Sequence, residues 1–340
     1  MAKTKNPICP SCGSTLKKGA ARCDMCGADP NGGQTASRLS DEELREKLRK
    51  LRLQSVLSKA GLAVFSLGAV ISLAAANWAL LALFVIADIV SAVFAAGCSG
   101  QAKKLVGINV VRDALGEVFA IEEYIPGNFI GEAAVSEARL VHNWNESTGS
   151  DFVRGRYKGV GFIFSDVHLE DVQETTDSDG DTHETRTTRF RGQWMVLELR
   201  KNTGHTVRLR EREQRKLSGN YTKQGKSDVE TENAAFNQMF QIQTDDPHTA
   251  FYVLTPHFMD AIVAADQRAS GRTYMCFMGD RVHIAVDNGR DSFELKRGGE
   301  TRNIDALRAR IRGEVKYITD IADELLRNTS LFAEGEVQVR

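Results

Sequence analysis

From Ala60 to Cys98 the chain has no lysine, arginine or glutamate, and Asp88 is its one formal charge. Soluble helices keep a polar face, so an ordinary surface helix is excluded here. A charge bias is missing from the chain as a whole: 44 Lys and Arg against 45 Asp and Glu leave a net charge of −1, without the bulk basic field that draws nucleic acid. The seven histidines include no HxxxH or HExxH pair, so a catalytic metal has no visible seat, and no Gly-x-Ser-x-Gly elbow occurs. Gly225-Lys226-Ser227 lacks the first glycine of a phosphate loop, because Asn220 stands there. Asp177, Asp179 and Asp181 are spaced like a calcium loop. Thr182 replaces the glycine that the turn needs, however, and Thr188 replaces the closing glutamate, so a solvated acidic loop is expected.

The uncharged run is 39 residues long. One straight helix of that length would reach roughly 58 Å, about twice the ~30 Å hydrocarbon core of a bilayer. Two spans fit, with the break at Asn77-Trp78, where Asn tolerates a turn and Trp favours the headgroup region. The expected spans are Ala60 to Ala76 and Ala79 to Ala96, a transmembrane helical hairpin over 60–98. Gly68, Ser72 and Ala76 form a small-residue stripe on the first, as do Ala87, Ser91 and Ala95 on the second, so close approach is expected. A carboxylate within a span is costly, and Asp88 is expected to find a polar partner such as a serine. Arg45, Lys47, Arg49, Lys50, Arg52 and Lys59 precede the hairpin, and Lys103, Lys104 and Arg112 follow it. By the positive-inside rule both termini are then cytoplasmic, in a two-span protein of the inner membrane. A cleaved signal peptide is not expected, because 59 residues precede the apolar run.

Four of the six cysteines lie within the first 26 residues. Cys9-Pro10-Ser11-Cys12-Gly13 and Cys23-Asp24-Met25-Cys26-Gly27 are two knuckles, each setting two thiolates on one tight turn. Together Cys9, Cys12, Cys23 and Cys26 predict a zinc ribbon over 8–28 holding one zinc per chain. Four sulfur ligands leave no open position, so this zinc is structural and not catalytic. Such spacing fits a reducing compartment rather than a disulfide framework; a redox CxxC is the alternative. Residues 29–39, rich in Gly, Pro, Ser, Thr and Asn, read as a flexible linker. A basic amphipathic helix over 40–59 follows, opened by the Ser40/Glu43 capping box and carrying Leu44, Leu48 and Leu51 on one face.

Beyond the hairpin, Val106 to Phe119 keeps helical spacing. Strands are expected at Gly159 to Val167 and Gly192 to Leu199, joined by a Thr-rich loop from Glu174 to Thr188, with His205 to Leu209 continuing the sheet. Ala234 to Gln243 and Pro247 to Ala269 read as helical, and Thr273 to Met278 with Arg281 to Val286 as a hairpin about Gly279-Asp280. Cys276, in an apolar strand, is expected to be buried. Ile304, Leu307, Ile311, Val315, Ile318, Ala322 and Leu325 mark a last helix with one core-facing stripe. The fold class is therefore α+β: zinc ribbon, two-helix hairpin, and an antiparallel-sheet domain over 104–328 closed by a long C-terminal helix, then a tail over 329–340.

Landmarks in this last domain resemble a family. Asp151-Phe152-Val153-Arg154-Gly155, Phe162-Ile163-Phe164-Ser165-Asp166-Val167, Phe190-Arg191-Gly192, Phe236-Asn237-Gln238-Met239-Phe240, Leu254-Thr255-Pro256-His257-Phe258-Met259 and Ser292-Phe293-Glu294 occur in the order typical of the bacterial domain-of-unknown-function family 3137. The resemblance runs roughly from Lys104 to Asn328 and implies two membrane spans just before the domain. It implies no activity and no catalytic residues. The functional expectation is a membrane-tethered, cytoplasm-facing interaction or scaffold protein whose partners are membrane lipid and other proteins, with room for homo-oligomer contacts. The alternatives are an enzyme of unrecognised type in the C-terminal domain and a regulator touching nucleic acid through the ribbon.

Overall fold

The computed structural model of the chain describes residues 41–177, 182–213, 227–266, 271–293 and 303–327. The ribbon cysteines, the 29–39 linker and Ser40 lie outside the described residues, as do most of the Asn220 to Ser227 segment and the 329–340 tail. Among the described residues two compact units are formed, one from 41–114 with 303–310 and one from 115–293 with 311–327.

The first unit is built on two long helices, α1 (Asp41–Ala74) and α2 (Trp78–Val106). The basic segment and the first apolar run are one continuous helix, since nothing between Asp41 and Ala74 breaks it. The break falls at Asn77 as the sequence leads one to expect. Ala76 takes a left-handed φ of 53°, and the Asn77 side chain caps α2 by accepting from the Leu80 amide at 3.2 Å. Both helices are long and apolar enough to cross a membrane, and their outer faces, Val64, Leu67, Val70, Leu83, Ile86 and Val93 among them, are exposed. Between them Gly68 admits the Phe84 ring, which lies 2.8 Å from where a Cβ would stand, and Ser66 Oγ donates to Asp88 Oδ2 at 2.9 Å. Of the small-residue stripe, Gly68 makes the contact, Ala76 lies beyond the helix in the turn, and Asp88 has its serine. At the other end Arg308 grips Asp41 with two hydrogen bonds of 2.9 and 3.0 Å. After α2 the chain runs through a π-helical turn, Gly107–Val111, and α3 (Arg112–Gly116).

The second unit is an eight-stranded antiparallel sheet ordered β1-β2-β3-β4-β8-β7-β5-β6. Its strands are β1 (Ala120–Ile125), β2 (Glu146–Tyr157), β3 (Val160–Thr176), β4 (Thr182–Glu198), β5 (Val207–Glu211), β6 (Phe240–Thr244), β7 (Arg272–Met278) and β8 (Arg281–Asp287). Alternation along β4 sends Trp194 and Val196 to one face and Gln193, Met195 and Leu197 to the other. Trp194, Phe190, Val167, Leu169, Tyr274 and Cys276 pack with Ile130, Val135, Ala138 and Leu140, the segment around α4 (Glu132–Ala138). On the opposite face lies the part of α8 (Ile304–Arg327) from Ile311 onward, placed by Gln193 Nε2 donating to the Glu314 carbonyl at 2.9 Å and by Tyr157 donating to Asp323 at 2.7 Å. All seven stripe residues from Ile304 to Leu325 are buried, so the helical periodicity of the sequence is realised as a core face.

Several segments differ from expectation. The Thr-rich loop is instead the outer half of a β3–β4 ribbon, paired out to Thr176 opposite Thr182, while Asp179 and Asp181 lie outside the described residues. β-branched threonines suit an exposed strand. Across the ribbon Arg186 bridges Glu146 and Glu170, and Asn145 exchanges two hydrogen bonds with the Val172 backbone. Ala234 to Gln243 is helical only over α5 (Ala234–Met239); Phe240 and Ile242 then enter β6, where they pair with Glu211 and Leu209. Pro256 divides the next helix into α6 (Pro247–Val253) and α7 (Pro256–Asp266), because proline cannot donate within a helix interior. Strands β1 and β2 were not expected. The β7–β8 hairpin about Gly279, whose φ is 59°, stands as read.

Candidate functional site

Three groups of polar side chains stand out from this frame. The first lies where β2 bulges against β3: carboxylate oxygens of Asp151, Asp166 and Asp291 fall within 4.8 Å of one another. Asp151 holds a left-handed φ of 60° and accepts from the Tyr124 hydroxyl at 2.5 Å. Asp166 accepts from the Ser292 amide and the Ser292 hydroxyl, both at 2.9 Å, and Gln193 Nε2 donates to that hydroxyl. Three carboxylates at this spacing resemble a hard-cation site. Burial, however, drives Asp166 well above the usual carboxylate range, with repulsion from Asp151 and Asp291 adding to it and the Ser292 bonds opposing. The Ser292 hydrogen bonds to Asp166 brace β3 against the chain after β8.

The second group is Glu211 on β5, Asp266 at the end of α7, and Thr273 and Tyr317 on β7 and α8. Glu211 Oε2 accepts from the Thr273 amide at 2.7 Å; the Thr273 and Tyr317 hydroxyls are 2.5 Å apart, and Tyr317 donates to Asp266 at 3.3 Å. Burial first, and then the charge of Asp266, pushes Glu211 up to about 8; Asp266 too is raised by burial. Two buried acids in contact keep a proton between them through neutral pH.

The third group is a cleft of about 440 Å³ on the α4 face of the sheet at its β5–β6 edge. Alternation along Val207-Arg208-Leu209-Arg210-Glu211-Arg212 turns the arginines to this face and the apolar residues to the core. Arg210 is paired with Gln241 on β6 and Tyr274 on β7, so Arg210, Gln241, Gln243 and Tyr274 share the floor. Arg212, Arg272 and Arg189 line its sides, and Leu140 to His142 form a wall. Arg208 and Arg210 fasten that wall by donating to the Ala138 and Leu140 carbonyls at 2.8 and 2.9 Å. Arg189 donates to Asp171 at 2.5 Å and Arg212 to Ser227 at 3.3 Å. Arg272 is exposed, pairs along the strand with Asp287 on β8, and sets its charge near Glu211 and Asp287. Burial, and after it the charges of Arg210, Arg208 and Arg139, pushes His142 below its ordinary range.

Of the residues singled out from sequence, Cys9, Cys12, Cys23 and Cys26 lie outside the described residues, Asp88 sits in the helical hairpin, and Cys276 is buried with its thiol pushed up to about 11. Asp88 and Cys276 do not line the cleft. Its arginines were overlooked, although three arginines at alternate positions, Arg208, Arg210 and Arg212, already spelled one basic strand face.

The family described as "Protein of unknown function (DUF3137)" matches residues 188–327, a stretch that takes in the landmarks from Phe190 onward. No curated protein matches the chain. Among solved structures the chain is similar to the mycobacterial trehalose monomycolate transport factor A, TtfA, at 11% identity, over 64% of this chain and 93% of that one, with a TM-score of 0.34.

Proposed function

We propose that this chain is a membrane-tethered interaction protein that holds its sheet unit at the cytoplasmic face of the inner membrane. The observation that carries this is the α1–α2 hairpin. Two apolar helices joined by a turn of a few residues about Asn77 return the chain to the side from which it came, and basic residues precede and follow them. Exposed apolar faces on both helices suit lipid, and Asp88 turns one carboxylate oxygen to the Ser66 hydroxyl on the other helix. The four-cysteine module ahead of the hairpin is proposed to bind one structural zinc and to present a compact surface to a protein partner.

The test is fractionation of the full chain from cells, followed by purification in mild detergent. The proposal predicts that the protein stays in the membrane fraction through an alkaline carbonate wash and leaves it only with detergent. Release by carbonate alone would mean a peripheral protein and would defeat the tether.

A further inference from the structure

We propose that the arginine-lined cleft at the β5–β6 edge is a binding site for a phosphoryl group carried on a polar body, either a soluble phosphorylated metabolite or a phospholipid headgroup. This goes beyond the tether, and the cleft stands or falls without it.

Arginines on a sheet face have a structural reading first, and part of it holds here. Arg208 and Arg210 each satisfy a carbonyl of the Ala138 to Leu140 wall. Yet a guanidinium carries five N–H donors, and the bond to Leu140 uses one of Arg210's. Arg272 stands at the same cleft from β7, exposed, with its charge near Glu211 and Asp287. Arg212 brings a third guanidinium from the end of β5. Gln241 and Gln243 on the neighbouring strand add amides that donate and accept.

The convergence selects the ligand. A planar carboxylate is served by one bidentate arginine, whereas a phosphoryl group offers three terminal oxygens and nearly two negative charges, which suits guanidinium groups arriving from β5 and β7. The volume of about 440 Å³ exceeds what a bare phosphate fills and lies in the range of small-molecule sites. The glutamines, with Tyr274 and His142, suit a hydroxyl-bearing body such as a sugar or glycerol moiety.

The experiment is calorimetric titration of inorganic pyrophosphate into the full-length protein held in nanodiscs of neutral phosphatidylcholine. Saturable one-to-one binding is expected. Arg272→Gln should weaken it about tenfold, as loss of one charge-assisted contact predicts, and Arg272→Lys should fall between the two. Arg154→Gln, an equal change of charge outside the cleft, should leave it unchanged. Equal thermal melting of the Arg272 variants and the wild type shows that the fold is intact. A second arm repeats the titration in nanodiscs containing phosphatidylglycerol. Unchanged affinity there supports a soluble phosphorylated ligand, and a loss of pyrophosphate binding that is smaller in Arg272→Gln than in the wild type supports a headgroup in the cleft. Failure of pyrophosphate to bind the wild type, or equal binding by Arg272→Gln, overturns the site.

Discussion

Ser292 donates to both oxygens of Asp166, from its amide and from its hydroxyl, across 126 residues of sequence. The pair fastens the segment after β8 onto β3, deep in the sheet unit, where both residues are almost fully buried. It replaces water for a carboxyl group that would otherwise be costly to bury.

Ser292→Ala removes a donor from Asp166 and an acceptor from Gln193 at once. A buried group left unsatisfied costs about 1 to 3 kcal/mol, so a clear loss in urea unfolding is expected. Asp166→Asn keeps the shape and holds no charge, and it should cost less. If Asp166→Asn proves the worse of the two, the carboxyl is ionised in the folded protein and the brace is misread.

Stability should fall as pH rises from mildly acidic to mildly alkaline. Glu211 is raised from an ordinary glutamate value to about 8 in the folded state. Below its unfolded pKa both states are protonated. Between that value and about 8 the folded state holds a proton that the unfolded state has lost, so each step up in pH favours unfolding. Asp166 and Asp266, also raised, act in the same direction. Melting temperatures between pH 5 and pH 8.5 measure this, and Glu211→Gln should flatten the slope. A wild-type protein more stable at pH 8.5 than at pH 6 contradicts the reading of these acids.

Ile318→Ala, beneath the sheet on α8, should cost about 2 to 5 kcal/mol, the usual range for a fully buried aliphatic side chain. Lys316→Ala, which loses only an exposed i,i+4 pair with Asp320, should cost about 0.5 kcal/mol or less. Chemical unfolding of the full chain in detergent compares the two.

In the hairpin, Gly68→Val places a Cβ 2.8 Å from the Phe84 ring and should loosen the α1–α2 contact. Phe84→Ala in the same chain should restore it, because the new side chain then fills the vacated space. Protease resistance of the hairpin in detergent reads the effect. Additive damage in the double variant would mean that the two residues do not meet.

The parts of the fold governed by one strong period were legible. The stripe from Ile304 to Leu325 and the uncharged run from Ala60 to Cys98 admit one reading each, and Asn77 marked its turn. Misreadings arose where two periods competed. Phe236, Met239, Phe240 and Gln243 keep helical spacing, but Phe240 and Ile242 also alternate, and pairing with Leu209 and Glu211 on β5 decides for strand. The Glu174 to Thr188 segment is polar on both faces, so no hydrophobic alternation announced the ribbon that its cross-strand pairs stabilise. The cleft was hidden for a related reason. The alternation of Arg208, Arg210 and Arg212 looks like a solvent face until the Ala138 to Leu140 carbonyls and Gln241 are brought against it by contacts remote in sequence.

The central claim is that the apolar hairpin tethers a chain whose two ends lie on one side. Fusing a reporter active only in the cytoplasm, and in parallel one active only outside it, to each terminus of the full protein tests it most directly. The account predicts that the cytoplasmic reporter alone is active at both ends. Activity of opposite reporters at the two ends would mean a single crossing and would contradict the hairpin as a tether.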